Sequence, residues 1–111
     1  MLDIPGWVFL SLAIVSEVSG TTLMKLSNGY TKLAPSLGML VCYGVSLSAL
    51  TYALQQIDIG VAYAIWSGVG TILIALVGVA LFNQTLSPPQ LISILLIVAG
   101  VVGLNLHMNS R

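Results

Sequence analysis

Four apolar runs of about 20 residues leave this chain few ways to fold, because that is the length an α-helix needs to cross about 30 Å of hydrocarbon. In lipid every backbone polar group must be bonded within the protein, so such runs become packed helices and not open strands. They fall at roughly residues 4–25, 34–54, 59–81 and 88–107, by the length rule for spanning segments. The connections are short and carry helix-end chemistry. Ser27-Asn28-Gly29 supplies a left-handed stop, Pro35 suits a first turn, Asp58 and Ser87 stand at cap positions, and Pro88 and Pro89 follow Ser87. The chain reads as an all-α integral membrane protein: one four-helix transmembrane domain over residues 1–111, with no linker, soluble domain or internal repeat. The first run lacks a basic leader and is too long for a signal-peptide core, so it is expected to stay as a membrane helix.

Composition narrows the function. Only 5% of the 111 residues are charged, against about 25% in a soluble domain. No basic cluster exists for nucleic acid. The single Cys42 has no internal disulfide partner and reads as a packing residue. No His, Cys and acidic residues stand at metal-ligand spacing, no nucleophile–base pair or phosphate loop is visible, and His107 reads as interfacial. Neither an enzyme nor a cofactor is expected. Lys25 and Lys32 fall on one side of the membrane and Arg111 and the amino terminus on the other, a bias close to zero. A chain this balanced is expected to insert in both orientations.

Of the six charges, Glu17 alone lies well inside an apolar run. A carboxylate at membrane depth costs about 3 kcal/mol on insertion scales, and such residues mark ion, proton or ligand paths. Helical steps of three and four from Glu17 reach Ala13, Ile14, Gly20 and Thr21, with Trp7 further along the stripe. In the third run Tyr63 and Trp66 share a face. Aromatic faces attract cations, quaternary ammonium above all, although an ordinary packing pair reads equally well from the motif alone. Gly68 and Gly70 suit a helix bend or close packing. Tyr43 and Ser46 share a face of the second run, and Tyr52 reads as an interfacial anchor. In the fourth run Ser93, Gly100 and Gly103 form a small-residue stripe suited to helix–helix assembly.

Four short helices do not readily enclose a path, whereas two copies would. The first three helices of each would line a chamber and the fourth would seal the pair. Two Glu17 side chains in one chamber would titrate as a coupled unit. Proton and cation would compete for one site, and two oppositely inserted copies would supply the inverted repeat common among transporters.

Ser16-Glu17-Val18-Ser19-Gly20-Thr21-Thr22-Leu23-Met24-Lys25, Pro35-Ser36 and Gly60-Val61-Ala62-Tyr63-Ala64-Ile65-Trp66-Ser67-Gly68-Val69-Gly70 together resemble the small multidrug resistance family, over essentially the whole chain. Gly20-Thr21-Thr22-Leu23-Met24-Lys25 is most similar to its quaternary-ammonium branch. The resemblance implies an antiparallel homodimer of dual topology in the bacterial inner membrane, exchanging protons for lipophilic or quaternary cations. It implies that Glu17 binds both proton and substrate. Trp66, Tyr63 and Tyr43 would contact substrate, with Ala13, Ile14, Gly20, Thr21, Ser46 and Trp7 around it. Gly68 and Gly70 would form the helix bend, and Ser93 and Gly100 the dimer contact. The chain departs from the branch's pattern at Trp7, Asn28, Ser48, Thr85 and Ser87, which bears on substrate range and gating. Alternatives within the fold are a guanidinium or polyamine exporter, or one subunit of a heterodimer. Outside it, a rotary-ATPase rotor subunit would place its carboxylate in a later helix, and a purely structural protein would need no carboxylate.

Overall fold

The computed structural model describes residues 4–109, with side chains described for residues 4–104. It is all-helical: α1 (Gly6–Leu26), α2 (Leu33–Ala53), α3 (Ile59–Phe82) and α4 (Pro88–Asn109). The helices α1, α2 and α3 are long and apolar enough to cross a membrane, and α4 has 22 residues and is apolar over Pro88–Leu104. Pro5 holds the N-cap position of α1, and starting α2 at Leu33 puts Pro35 in its first turn. His107 and Arg111 lie outside the described side chains.

Packing lays the helices side by side. α1 contacts both α2 and α3, and α4 packs on α3. The molecule measures 46 × 40 × 17 Å. Its thin dimension is under two helix diameters of about 10 Å, so the helices form an open slab and not a closed bundle. Large apolar side chains such as Leu40, Val41, Leu95 and Leu96 remain exposed on it. A surface of that kind needs lipid or another protein against it.

The core sits where α1 meets α2 and α3, around Leu10, Ile14, Leu50, Ile57 and Ile65. Ala13, Ala49, Ala53 and Ala62 are buried among them. Small residues of this kind let backbones approach where lipid removes the hydrophobic drive. Ser46 adds a buried interhelical bond, its Oγ donating to the Ala13 carbonyl at 2.7 Å.

The turns follow from local chemistry. Asn28, Gly29 and Tyr30 take φ of 51°, 68° and 68°, so the left-handed stop runs one residue beyond the expected Gly29. Ser27, buried beneath it, donates to the Met24 carbonyl at 2.7 Å and accepts from the Tyr30 N–H at 3.1 Å. Asn83 ends α3 in the left-handed region at φ 55°, and the Gln84 N–H donates to the Gly78 carbonyl. Asp58 stands at the N-cap of α3. At the start of α4 the Ser87 N–H donates to Gln90 Oε1 at 2.7 Å while the Gln90 N–H donates to Ser87 Oγ at 3.4 Å. That is a reciprocal capping box. Gln56, after α2, pins the start of α1: its Oε1 accepts from the Gly6 N–H and its Nε2 donates to the Ile4 carbonyl, both at 2.8 Å.

Candidate functional site

The slab's arrangement puts the middle of α1 between α2 and α3, and Glu17 sits at that midpoint, half-buried. Thr21, one turn on, donates from Oγ1 to Glu17 Oε1 at 3.0 Å. The same Thr21 oxygen lies 2.7 Å from the Tyr43 hydroxyl of α2. Gly20 makes this approach possible, since a Cβ there would lie 2.7 Å from Tyr43 Cδ1 and 2.8 Å from Cε1. A sequence-local glycine thus sets a contact across two helices, and the Tyr43 ring lies directly on the α1 backbone.

On the α3 side, Glu17 and Thr21 line a cleft of about 250 Å³ with Tyr63 and Trp66. The two rings meet edge to face at 5.3 Å between centroids and 75° between planes. Gly70 forms part of the floor; a Cβ built on it would sit 3.4 Å from Glu17 Oε2. A second cleft of about 220 Å³, on the α2 side, is lined by Glu17, Tyr43, Ser46, Leu47 and Trp66. Glu17 and Trp66 therefore face both clefts. Among the described residues, the Trp66 indole Nε1 is buried without a hydrogen-bond partner. Lys25, about 12 Å along α1 from Glu17 at 1.5 Å per residue, lies over the Phe82 ring at 6.0 Å. Glu17 is the one carboxylate within a helix among the described residues.

The structure gathers Glu17, Thr21, Tyr43, Ser46, Tyr63, Trp66 and Gly70 around these two clefts, with Gly20 behind Tyr43. Ala13 and Ile14 are not on the cleft walls; they are buried in the packing core, where Ala13 also receives the Ser46 bond. Trp7 lies about 15 Å along α1 from Glu17, by the helical rise, and lines neither cleft. Gly68 lies under α4: a Cβ there would meet Val101 Cγ2 at 2.8 Å and Ile97 Cγ2 at 3.1 Å. α3 is helical throughout Ile59–Phe82, passing through Gly68 and Gly70. Ser93 and Gly100 lie on the exposed side of α4, away from the partly buried seam of Ile94, Ile97, Val101 and Leu104.

Leu47 of the α2-side cleft and three residues of the α3-side cleft lie outside the sequence-predicted set, the three being Ser67, Thr71 and Ile74. Their signal was present, since Tyr63, Ser67 and Thr71 recur every four residues and Ile74 follows at three. Thr71 donates to the Ser67 carbonyl at 2.7 Å, which leaves its hydroxyl lone pairs free to accept from the cleft.

The family model described as Small Multidrug Resistance protein matches residues 5–97. The chain belongs to the small multidrug resistance family. It is similar to the multidrug transporter EmrE of Escherichia coli (strain K12), 49% identical over 94% of both chains. It is similar to the quaternary ammonium compound-resistance protein QacE of Escherichia coli, at 46% identity over 91% of this chain and 92% of that one. An uncharacterized membrane protein, YvaE of Bacillus subtilis (strain 168), is 57% identical over 91% of this chain and 85% of its own length. The family is one of membrane transporters and not of enzymes, and the relatives place this chain with its EmrE-like, quaternary-ammonium branch. The match runs through α1, α2 and α3 and into α4, so both clefts lie wholly within it.

Proposed function

We propose that this protein exports lipophilic and quaternary ammonium cations in exchange for protons, working as an antiparallel homodimer of four-span chains in a bacterial inner membrane. The observation that carries the reading is Glu17, the one helix-borne carboxylate among the described residues, set against Tyr63 and Trp66 on one cleft and Tyr43 on the other. An ionised carboxylate supplies charge and the ring faces supply the apolar, π-rich surface that a quaternary ammonium favours. A protonated Glu17 has no charge to offer, so proton and cation exclude one another there. Exchange follows if the site opens to one side at a time, with Gly68 and Gly70 letting α3 change shape.

The open slab supports the second copy. Its clefts, at about 250 and 220 Å³, fall below the roughly 300–1,000 Å³ of a drug-sized pocket, and among the described residues the Ser93–Gly100 side of α4 is exposed; a Cβ at Gly100 would meet nothing within 4 Å. Two slabs facing each other would bring two Glu17 carboxylates into one chamber. Near-balanced loop charge supports insertion of the copies in opposite senses.

The test is binding of tetraphenylphosphonium to the purified protein alone, from acidic to alkaline pH, with Glu17→Gln as control. Binding that strengthens as pH rises and is lost in the variant supports the reading. A folded sample that binds none at any pH overturns it and points to guanidinium compounds or a missing partner subunit.

A further inference from the structure

Thr21 is bonded to Glu17 and Tyr43 at once, and its hydroxyl has a single proton. While Glu17 is ionised, its Oε1 can only accept, so Thr21 must spend that proton on it. Toward Tyr43 the Thr21 oxygen can then only accept, and the phenol donates. The order is therefore Tyr43 to Thr21 to Glu17. When Glu17 takes up a proton on Oε1 and donates it, every link turns round. Thr21 accepts from Glu17 and donates to Tyr43. The phenol proton is then released from the chain, and it belongs to a residue that lines the smaller cleft with Ser46 and Leu47. Ser46 does not compete for this role as a donor, since its own proton is held by the Ala13 carbonyl.

From this geometry we infer that Thr21 is a positioning residue through which Tyr43 acts on the protonation of Glu17, so that the bonding of the Tyr43 hydroxyl, on a ring that lines the α2-side cleft, follows the state of the carboxylate. The inference rests on the proton–cation reading of Glu17 and deepens it. Among the described residues, the other titratable group that lines the larger cleft with Glu17 is Tyr63 of α3, and no basic side chain lines either cleft. α4 packs on α3, and none of its described side chains lines either cleft.

The consequence is a dependence of one residue's effect on another. Thr21→Val keeps the shape and removes the relay. The pH at which tetraphenylphosphonium binding is half developed should rise by about one unit, the size carried by one hydrogen bond to a charged group. Thr21→Ser should restore it. Tyr43→Phe should move the midpoint in the same direction in the parent protein and leave it unmoved in the Thr21→Val background. A parallel readout needs no ligand: the infrared band of the protonated carboxyl, assigned by its loss in Glu17→Gln, should give the same midpoints in the full-length protein. That second readout covers a variant that binds cation poorly for other reasons. The inference is overturned if Tyr43→Phe shifts the midpoint equally with and without Thr21, or if Thr21→Val leaves the carboxyl titration where it was. Failure of the wider reading looks different, because binding in Glu17→Gln would then keep the parent's pH dependence whatever Thr21 does.

Discussion

Gly20→Ala is the sharpest single perturbation of this site, because one methyl group acts on the contact that joins α1 to α2 beside Glu17. The added Cβ would lie 2.7 Å from Tyr43 Cδ1, 2.8 Å from Cε1 and 3.2 Å from Cys42 Cβ. Comfortable carbon–carbon contact is about 3.5–4.0 Å, so the ring must withdraw by about 1 Å. Its hydroxyl now sits 2.7 Å from Thr21 Oγ1, and the same withdrawal stretches that bond beyond useful length. Overpacking of this kind costs about 1–3 kcal/mol, and the lost hydrogen bond about 0.5–1.5 kcal/mol more. A tenfold change in affinity corresponds to 1.4 kcal/mol. The overpacking acts on the fold and should lower the thermal midpoint, while the lost bond, at up to about 1.4 kcal/mol, should lower tetraphenylphosphonium affinity by up to about tenfold, measured by titration calorimetry on protein whose helicity is checked by circular dichroism. Replacing the ring as well, in Gly20→Ala with Tyr43→Leu, should relieve the clash and recover thermal stability, while the missing hydroxyl keeps affinity low. Gly20→Ala protein that binds as the parent does, with an unchanged pH profile, would refute the claim that Tyr43 is seated by Gly20.

Two further outcomes test the packing that carries the site. Gly68→Ala should lower the thermal midpoint, because its Cβ would press on Val101 and Ile97 of α4, and Val101→Ala in the same chain should restore it; a parent-like midpoint for Gly68→Ala would show that α4 does not seat there. Gln56→Ala removes two hydrogen bonds of 2.8 Å and strands the Gly6 N–H, at about 1–3 kcal/mol. Hydrogen exchange at the first turn of α1 should rise by a corresponding factor, while exchange near Glu17 should not.

What was legible in the sequence was local. The helices are readable because an apolar run of spanning length has few other fates, and Glu17 stands out because a charge inside such a run is costly. Tyr63 and Trp66 are three residues apart on one helix, so their shared face follows from the helical repeat. What was not legible depends on how the helices are turned against one another. Ala13 and Ile14 share the Glu17 stripe on paper, yet α1 lies between two neighbours, and the Ser46 bond to the Ala13 carbonyl draws that part of the stripe into the core. The pairing of Thr21 with Tyr43 spans 22 residues and needs the register of α1 on α2. Ser67 and Thr71 were within reach of the four-residue repeat, but small hydroxyl residues also serve packing in membrane helices and carry no distinctive signal of their own.

The same interactions that hold the helices together also build the site, and this follows from the solvent. In water, burial of apolar area would join α1 to α2 and leave the polar groups free for function. In lipid that drive is absent, and association rests on close backbone approach and interhelical hydrogen bonds. Here close approach is made by Gly20 and the buried alanines, and the interhelical bonds are Ser46 to Ala13 and Tyr43 with Thr21. The second of these ends on Glu17. On the proposed proton–cation reading, a change of protonation at Glu17 acts on a bond that also joins two helices, which gives proton uptake a direct physical means to loosen or tighten α1 against α2. It also implies that single substitutions around Glu17 should change stability and binding together, whereas substitutions on the exposed Ser93–Gly100 side of α4 should change stability only when a second copy is present.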